Sequence, residues 1–157
     1  MSFQKETNYK NSSNQLLEKV FEGEKLLAII LRTTFKKEGI DFFTPPDFSQ
    51  QLGYMNRPKG YKIQPHIHQK IERTIQLTQE VLFIKKGLVR VDFYKNDKTY
   101  LNSKLLHEGD VILLSSGGHG FEMLEDTEII EVKQGPFAGN IDKTRFKFVS
   151  ENELDIN

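Results

Sequence analysis

From residue 51 to residue 133 the chain is a succession of short apolar runs, each closed by turn-forming residues. The runs cover 52–56, 61–68, 75–85, 88–94, 99–106, 111–114, 120–124 and 128–133. Between them stand Arg57-Pro58-Lys59-Gly60, Lys95-Asn96-Asp97-Lys98, Glu108-Gly109-Asp110, the stretch 115–118 and Glu125-Asp126. Glycine, proline and the short polar residues are the ones that permit tight reversals, so these runs are expected to be strands. Many short strands at regular spacing must bury one face against another sheet, which predicts an all-β sandwich or barrel.

Upstream, LLAIILR over 26–32 is nearly continuous in apolar residues and predicts a strand buried on both faces. A charged turn at 36–39 leads to a short strand at 41–43, which Pro45-Pro46 ends because proline cannot donate to a ladder. Residues 1–12 are polar and read as a tail. Ser13 is placed to N-cap a short helix running through Phe21, with Leu16, Leu17, Val20 and Phe21 on one face and Gly23 as its stop. The expected organisation is therefore a tail and short helix over 1–24, then one barrel domain over 25–157. The irregular, charged stretch 142–148 is expected to return along the barrel.

Length agrees with one domain, at 157 residues, and no internal repeat suggests a duplicated barrel. The formal net charge is zero, with acids and bases interspersed, which argues against a nucleic-acid or anionic-membrane partner. Without cysteine there is no disulfide framework, thiolate nucleophile or thiolate metal site. The opening residues lack an apolar core like that of an export signal, and no stretch of about 18 apolar residues occurs, so a cytoplasmic location is expected.

The residues that suggest chemistry lie in GYKIQPHIHQKIERTIQLTQEVLFIKKG, residues 60–87. Strand side chains alternate, so His66 and His68 share a face about 6.6 Å apart and can converge on one ion. Glu80 opens the run VLFI and can present a carboxylate from a neighbouring strand. Imidazole and carboxylate together suit Zn, Fe, Mn, Ni or Co. Downstream, EGDVILLSSGGHGFEM carries His119 after a glycine pair, a histidine that local folding does not require. Two histidines at this spacing are also compatible with solvated or hydrogen-bonded rings.

Gly60-x5-His66-x-His68, then Glu80-x6-Gly87, then Gly109 through Gly117 to His119 resembles the two sequence motifs of the cupin superfamily, across roughly residues 53–135. The resemblance implies a jelly-roll β-barrel whose single divalent transition metal is held by His66, His68, Glu80 and His119. It departs from the family pattern twice. The gap from His68 to Glu80 is long, and Glu72 suits the usual short gap, but no glycine follows Glu72 at the expected distance. Ser115 stands where the second motif usually carries proline.

If His66 and His68 face the cavity, Lys62 and Gln64 face it too, and Tyr61, Ile63 and Ile67 face outward. In the next strand Leu82 and Ile84 point in, and Val81 and Phe83 point out. Such an outward apolar row needs a cover, from the N-terminal strands or from a second copy, and a two-fold homodimer is expected. The insertion 69–80 reads as an extended hairpin or lip, with Thr74, Gln76 and Thr78 on the parity of Glu80. Arg73 has the opposite parity and reaches an anion only if a bulge re-aims it. Tyr54 and Arg57 are further lining candidates, and Lys62 reads equally as a solvated lysine. Glu131 is a candidate general base or a surface glutamate, and His107 carries no ligand spacing.

These readings predict a small-molecule substrate and a metal-dependent enzyme. An isomerase or epimerase acting on a small polar, carbohydrate-like or carboxylate compound is expected first, because an ion beside a carbonyl acidifies the adjacent C–H. The tail EVKQGPFAGNIDKTRF looks like that of small bacterial cupins of sugar or surface-polysaccharide metabolism. An iron dioxygenase is the alternative enzyme, and a metal-stiffened binding module is the alternative without turnover.

Overall fold

The computed structural model describes residues 17–157, and the chain is antiparallel β throughout its body. Ten strands form: β1 Leu17–Glu22, β2 Lys25–Leu31, β3 Gly39–Phe42, β4 Gly53–Asn56, β5 Glu80–Lys86, β6 Leu88–Tyr94, β7 Tyr100–His107, β8 Val111–Leu114, β9 Gly118–Met123 and β10 Glu128–Lys133. Short 3-10 turns at Gly139–Asp142 and Glu151–Glu153 follow. Among the described residues no helix is long and apolar enough to cross a membrane.

Two sheets face each other, in the orders β1-β2-β8-β5-β10 and β7-β6-β9. Between them Ile30, Leu82, Ile84, Val91, Phe93 and Ile112 make the main core. Leu82 and Ile84 point inward from β5 while Phe83 is left exposed, as alternation predicts. LLAIILR is buried on both sides because β3, β4 and their flanks cover its back. There Ile29 and Leu31 pack with Phe35 and Phe43, whose rings meet edge to face at 5.3 Å.

Several turns sit where glycine demands them. Gly87 joins β5 to β6 at φ +91°, and a Cβ there would lie 2.6 Å from the Asp126 carbonyl oxygen, so only glycine fits without displacing the chain.

The structure departs from expectation in three places. Leu17–Glu22 is a strand where a helix was expected, and residues 13–16 of that expected helix lie outside the described residues. The physical reason is partnership: β1 pairs along β2 from Leu17↔Leu31 to Glu22↔Lys25, and Val20 enters the core. Helical periodicity in so short a run is weaker than a ladder on a buried neighbour. Next, the runs expected at 61–68 and at the start of 75–85 form no strand, and the second begins only at Glu80. Third, the two sheets do not close into a barrel. Among the described residues β9 pairs only with β6 and β10 only with β5, so both are open edges on the same side of the sandwich.

Candidate acid–base cavity

The chemistry-bearing residues gather where the sandwich is open. Glu80 is the first residue of β5 and shares the inward parity of Leu82 and Ile84. His119 lies on β9, opposite Phe93 in the core of β6, so it also points inward, from the other sheet. Their side chains meet across the gap, with His119 Nε2 3.1 Å from Glu80 Oε2. The His119 hydrogen bond holds the Glu80 carboxyl below its usual range, against the opposing effect of burial, and Lys143 and Lys133 add to the lowering. Phe121, next inward on β9, packs its ring 5.5 Å from the imidazole. The imidazole keeps 30% of its side-chain surface exposed, so a small molecule can reach it.

The pair lines a cavity of about 500 Å³. Its other walls carry Thr78, Asn96, Ser116 and a basic run from the C-terminal stretch, Lys143, Arg145 and Lys147. That stretch is held close because β9 is stripped of side chains on its outer face. A Cβ on Gly118 would lie 3.1 Å from the Phe146 ring, and one on Gly120 would lie 3.1 Å from the Phe148 ring. Thr78 Oγ1 donates to Asp142 at 2.6 Å and ties the start of β5 to the same stretch. The lining also carries the carboxylates of Glu80 and Asp142 and the apolar Leu77, Phe146 and Phe148, so the hollow is mixed in polarity, and its cationic excess favours an anionic ligand.

The other sequence candidates lie elsewhere. His66 and His68 are exposed on the irregular segment before Glu80, with their rings 5.1 Å apart and edge to face. His66 Nδ1 lies 2.9 Å from the carbonyl of Gln64. Among the described residues, no group of three or more His, Cys, Asp or Glu side chains is close enough to hold one metal ion. His66 with His68, and Glu80 with His119, thus stand as two pairs among the described residues. Lys62, Gln64 and Arg73 are exposed on the same segment, and Glu72, the alternative carboxylate, is exposed there too. Arg57 stacks over the Tyr61 ring at 4.6 Å. Tyr54 packs behind β2, 5.0 Å from Phe35, as part of the second core. Glu131 stands opposite Leu82 on β10 and pairs with Lys133 at 3.5 Å, outside the cavity lining. Thr78 alone of the proposed substrate contacts lines the cavity.

Lys143, Arg145 and Lys147 were not among the sequence candidates. Their signal is a two-residue alternation with Phe146 and Phe148, in DKTRFKF, which marks an extended segment with one cationic and one apolar side. No protein-family model, curated protein or solved structure matches this chain.

Proposed function

We infer that this chain is an isomerase or epimerase of cupin type, acting on a small anionic substrate of carbohydrate or carboxylate character. The observation that carries the reading is the Glu80–His119 pair, 3.1 Å apart in a cavity rimmed by Lys143, Arg145 and Lys147. With Glu80 ionised, its oxygen accepts the Nε2–H bond of a neutral His119 and leaves the Nδ1 lone pair free. Nδ1 then takes a proton from a carbon beside a carbonyl, and the electron pair moves onto the carbonyl oxygen as an enolate. The basic rim compensates that charge. In an α-hydroxy carbonyl compound the hydroxyl proton passes to the enolate oxygen, the hydroxyl carbon becomes the new carbonyl, and the imidazolium returns its proton to the former carbonyl carbon, which completes an isomerisation. Delivery of a solvent proton to the other face of the carbon that lost its proton completes an epimerisation. No electron acceptor is consumed.

The test is proton exchange. Sugar phosphates, sugar nucleotides and small hydroxycarboxylates are incubated with the protein in heavy water and followed by NMR. A compound with a carbonyl-adjacent C–H should incorporate deuterium at equal rates under nitrogen and air. His119→Ala should lower that rate by at least about 100-fold. Oxygen consumption stoichiometric with substrate would instead identify a dioxygenase, and binding without exchange a binding module.

A metal-assisted form of this reading is favoured by the two donor pairs, His66 with His68 and Glu80 with His119. One Zn, Fe, Mn, Ni or Co ion on these four residues would supply Lewis acidity to the carbonyl. It requires the exposed segment to close over a cavity, whereas the proton transfers above use Glu80 and His119 alone.

A further inference from the structure

The basic run on the cavity is tied to both sheets. Asp142, just before it, accepts from Thr78 Oγ1 at 2.6 Å, and Thr78 leads into β5 of the larger sheet. Val149, just after it, donates its backbone N–H to Tyr94 Oη at 3.1 Å, and Tyr94 ends β6 of the smaller sheet. Residues 142–149 therefore run from one sheet to the other along the cavity, as a strap with one clamp on each. Lys143, Arg145 and Lys147 lie between the clamps.

The strap is otherwise lightly held. Its backbone joins no ladder, and every residue from Asp142 to Phe148 is exposed. Its packing is that of two rings, Phe146 and Phe148, laid on Gly118 and Gly120 of β9. The Tyr94 clamp is the buried one. Tyr94 is 3% exposed, and its ring meets Phe146 edge to face at 5.0 Å. On β9 it stands opposite Gly118, one step from the pairing of Phe93 with His119. Beyond the strap the chain is tied down again, where Asp155 N–H donates to Tyr100 Oη at 2.9 Å and Ser103 N–H donates to the Asp155 carbonyl at 2.7 Å.

The clamps decide where the cations stand. Lys143 follows Asp142 directly, and its charge is felt by the Glu80 carboxyl, so the strap holds it within electrostatic reach of the acid–base pair. A cation on a tethered strap loses less freedom on meeting an anion than one on a free tail, and binding gains by the difference.

We propose that residues 142–149 are an anion-holding strap, and that Thr78 and Tyr94 are its positioning residues, acting through Asp142 and Val149 rather than by touching the ligand. This rests on the cavity being the functional site, but binding tests it without turnover. Asp142 separates the clamp from plain electrostatics. It is a carboxylate in the lining of a cavity that favours anions, so by charge alone its removal should strengthen anion binding. Loss of a clamp has the opposite sign.

The probe is inorganic pyrophosphate, titrated into the full chain by calorimetry. Asp142→Ala should weaken its binding by about 5-fold or more, as expected for one lost hydrogen bond. Asp142→Asn keeps a carbonyl oxygen for Thr78 Oγ1 and should bind at least as tightly as the wild type. Tyr94→Phe keeps the ring on Phe146 and removes only the hydroxyl. It should weaken binding to a similar degree and speed amide hydrogen exchange at Val149, with the circular dichroism of the folded chain. Binding by Asp142→Ala as tight as that of the wild type, or unchanged affinity in folded Tyr94→Phe, would overturn the strap. A wild type that does not bind pyrophosphate would overturn it too. Clamp effects of the expected sign without deuterium exchange into any panel compound would sink the isomerase reading and leave the strap standing.

Discussion

Asp110 closes the turn between β7 and β8 and is only 2% exposed. Its carboxylate accepts from Thr33 N–H and His107 N–H, each at 2.9 Å, and pairs with Arg32 at 2.8 Å. Arg32 also donates to Glu18 at 2.7 Å, so one guanidinium ties β1 to the turn through the end of β2. Removing a buried, fully bonded carboxylate strands both amides and takes one of the guanidinium's three partners, leaving Glu18 and the Leu105 carbonyl. Asp110→Ala should therefore cost about 3 kcal/mol in urea unfolding; a loss below about 1 kcal/mol would mean that the turn stands without it. Glu18 gives a pH prediction. Burial opposes its charge, but Arg32 and Lys104 together outweigh burial and hold its carboxyl below the ordinary 4.5. A carboxylate depressed on folding binds fewer protons folded than unfolded. Its contribution is complete above the unfolded value and is lost as the pH falls through the folded one. Stability measured by thermal melts should thus drop on acidification below about pH 5, and Glu18→Gln should make that acid limb shallower. An unchanged limb would place the acid sensitivity elsewhere.

At the scale of elements, strands whose apolar pattern and turn residues agree were legible, whether central or edge. The strand expected over 111–114 is β8, and the one expected over 128–133 is β10, because apolar alternation and turn residues agree at those positions. β1 was misread because Leu17, Val20 and Phe21 also satisfy a helical face, and only the ladder on β2 decides between the two. Glu80 and His119 were singled out by spacing, but their contact depends on two sheets coming together, which spacing alone does not encode. The segment 61–68 was misread: it has a strand's alternation in sequence but forms no strand, because no ladder partner lies along it. The basic run on the cavity was hidden, since its position depends on Gly118 and Gly120 admitting Phe146 and Phe148. That packing makes a prediction: Gly120→Val should push the C-terminal stretch off β9 and weaken binding of anionic panel compounds by about 10-fold or more, the effect of losing roughly one contact of 1.4 kcal/mol. Unchanged affinity would separate the basic run from the site. Gly87→Ala, strained at φ +91° and crowded by Asp126, should cost about 2 kcal/mol without altering that affinity.

For the whole molecule, an exposed apolar face favours the pairing of two copies, which we propose. Phe83, Ile130 and Val132 are exposed together on the outer face of β5 and β10, beside the other open edge. Phe83→Asp should weaken the dimer in sedimentation while leaving the cavity's acid–base pair in place, because Phe83 points away from Glu80. The measurement that bears most directly on the Glu80–His119 pair is proton exchange in heavy water. The wild type should exchange the carbonyl-adjacent hydrogen of an anionic panel compound, and His119→Ala should lower that rate by about 100-fold or more while its circular dichroism stays that of the folded chain. Exchange at the wild-type rate in folded His119→Ala would contradict the pair's role.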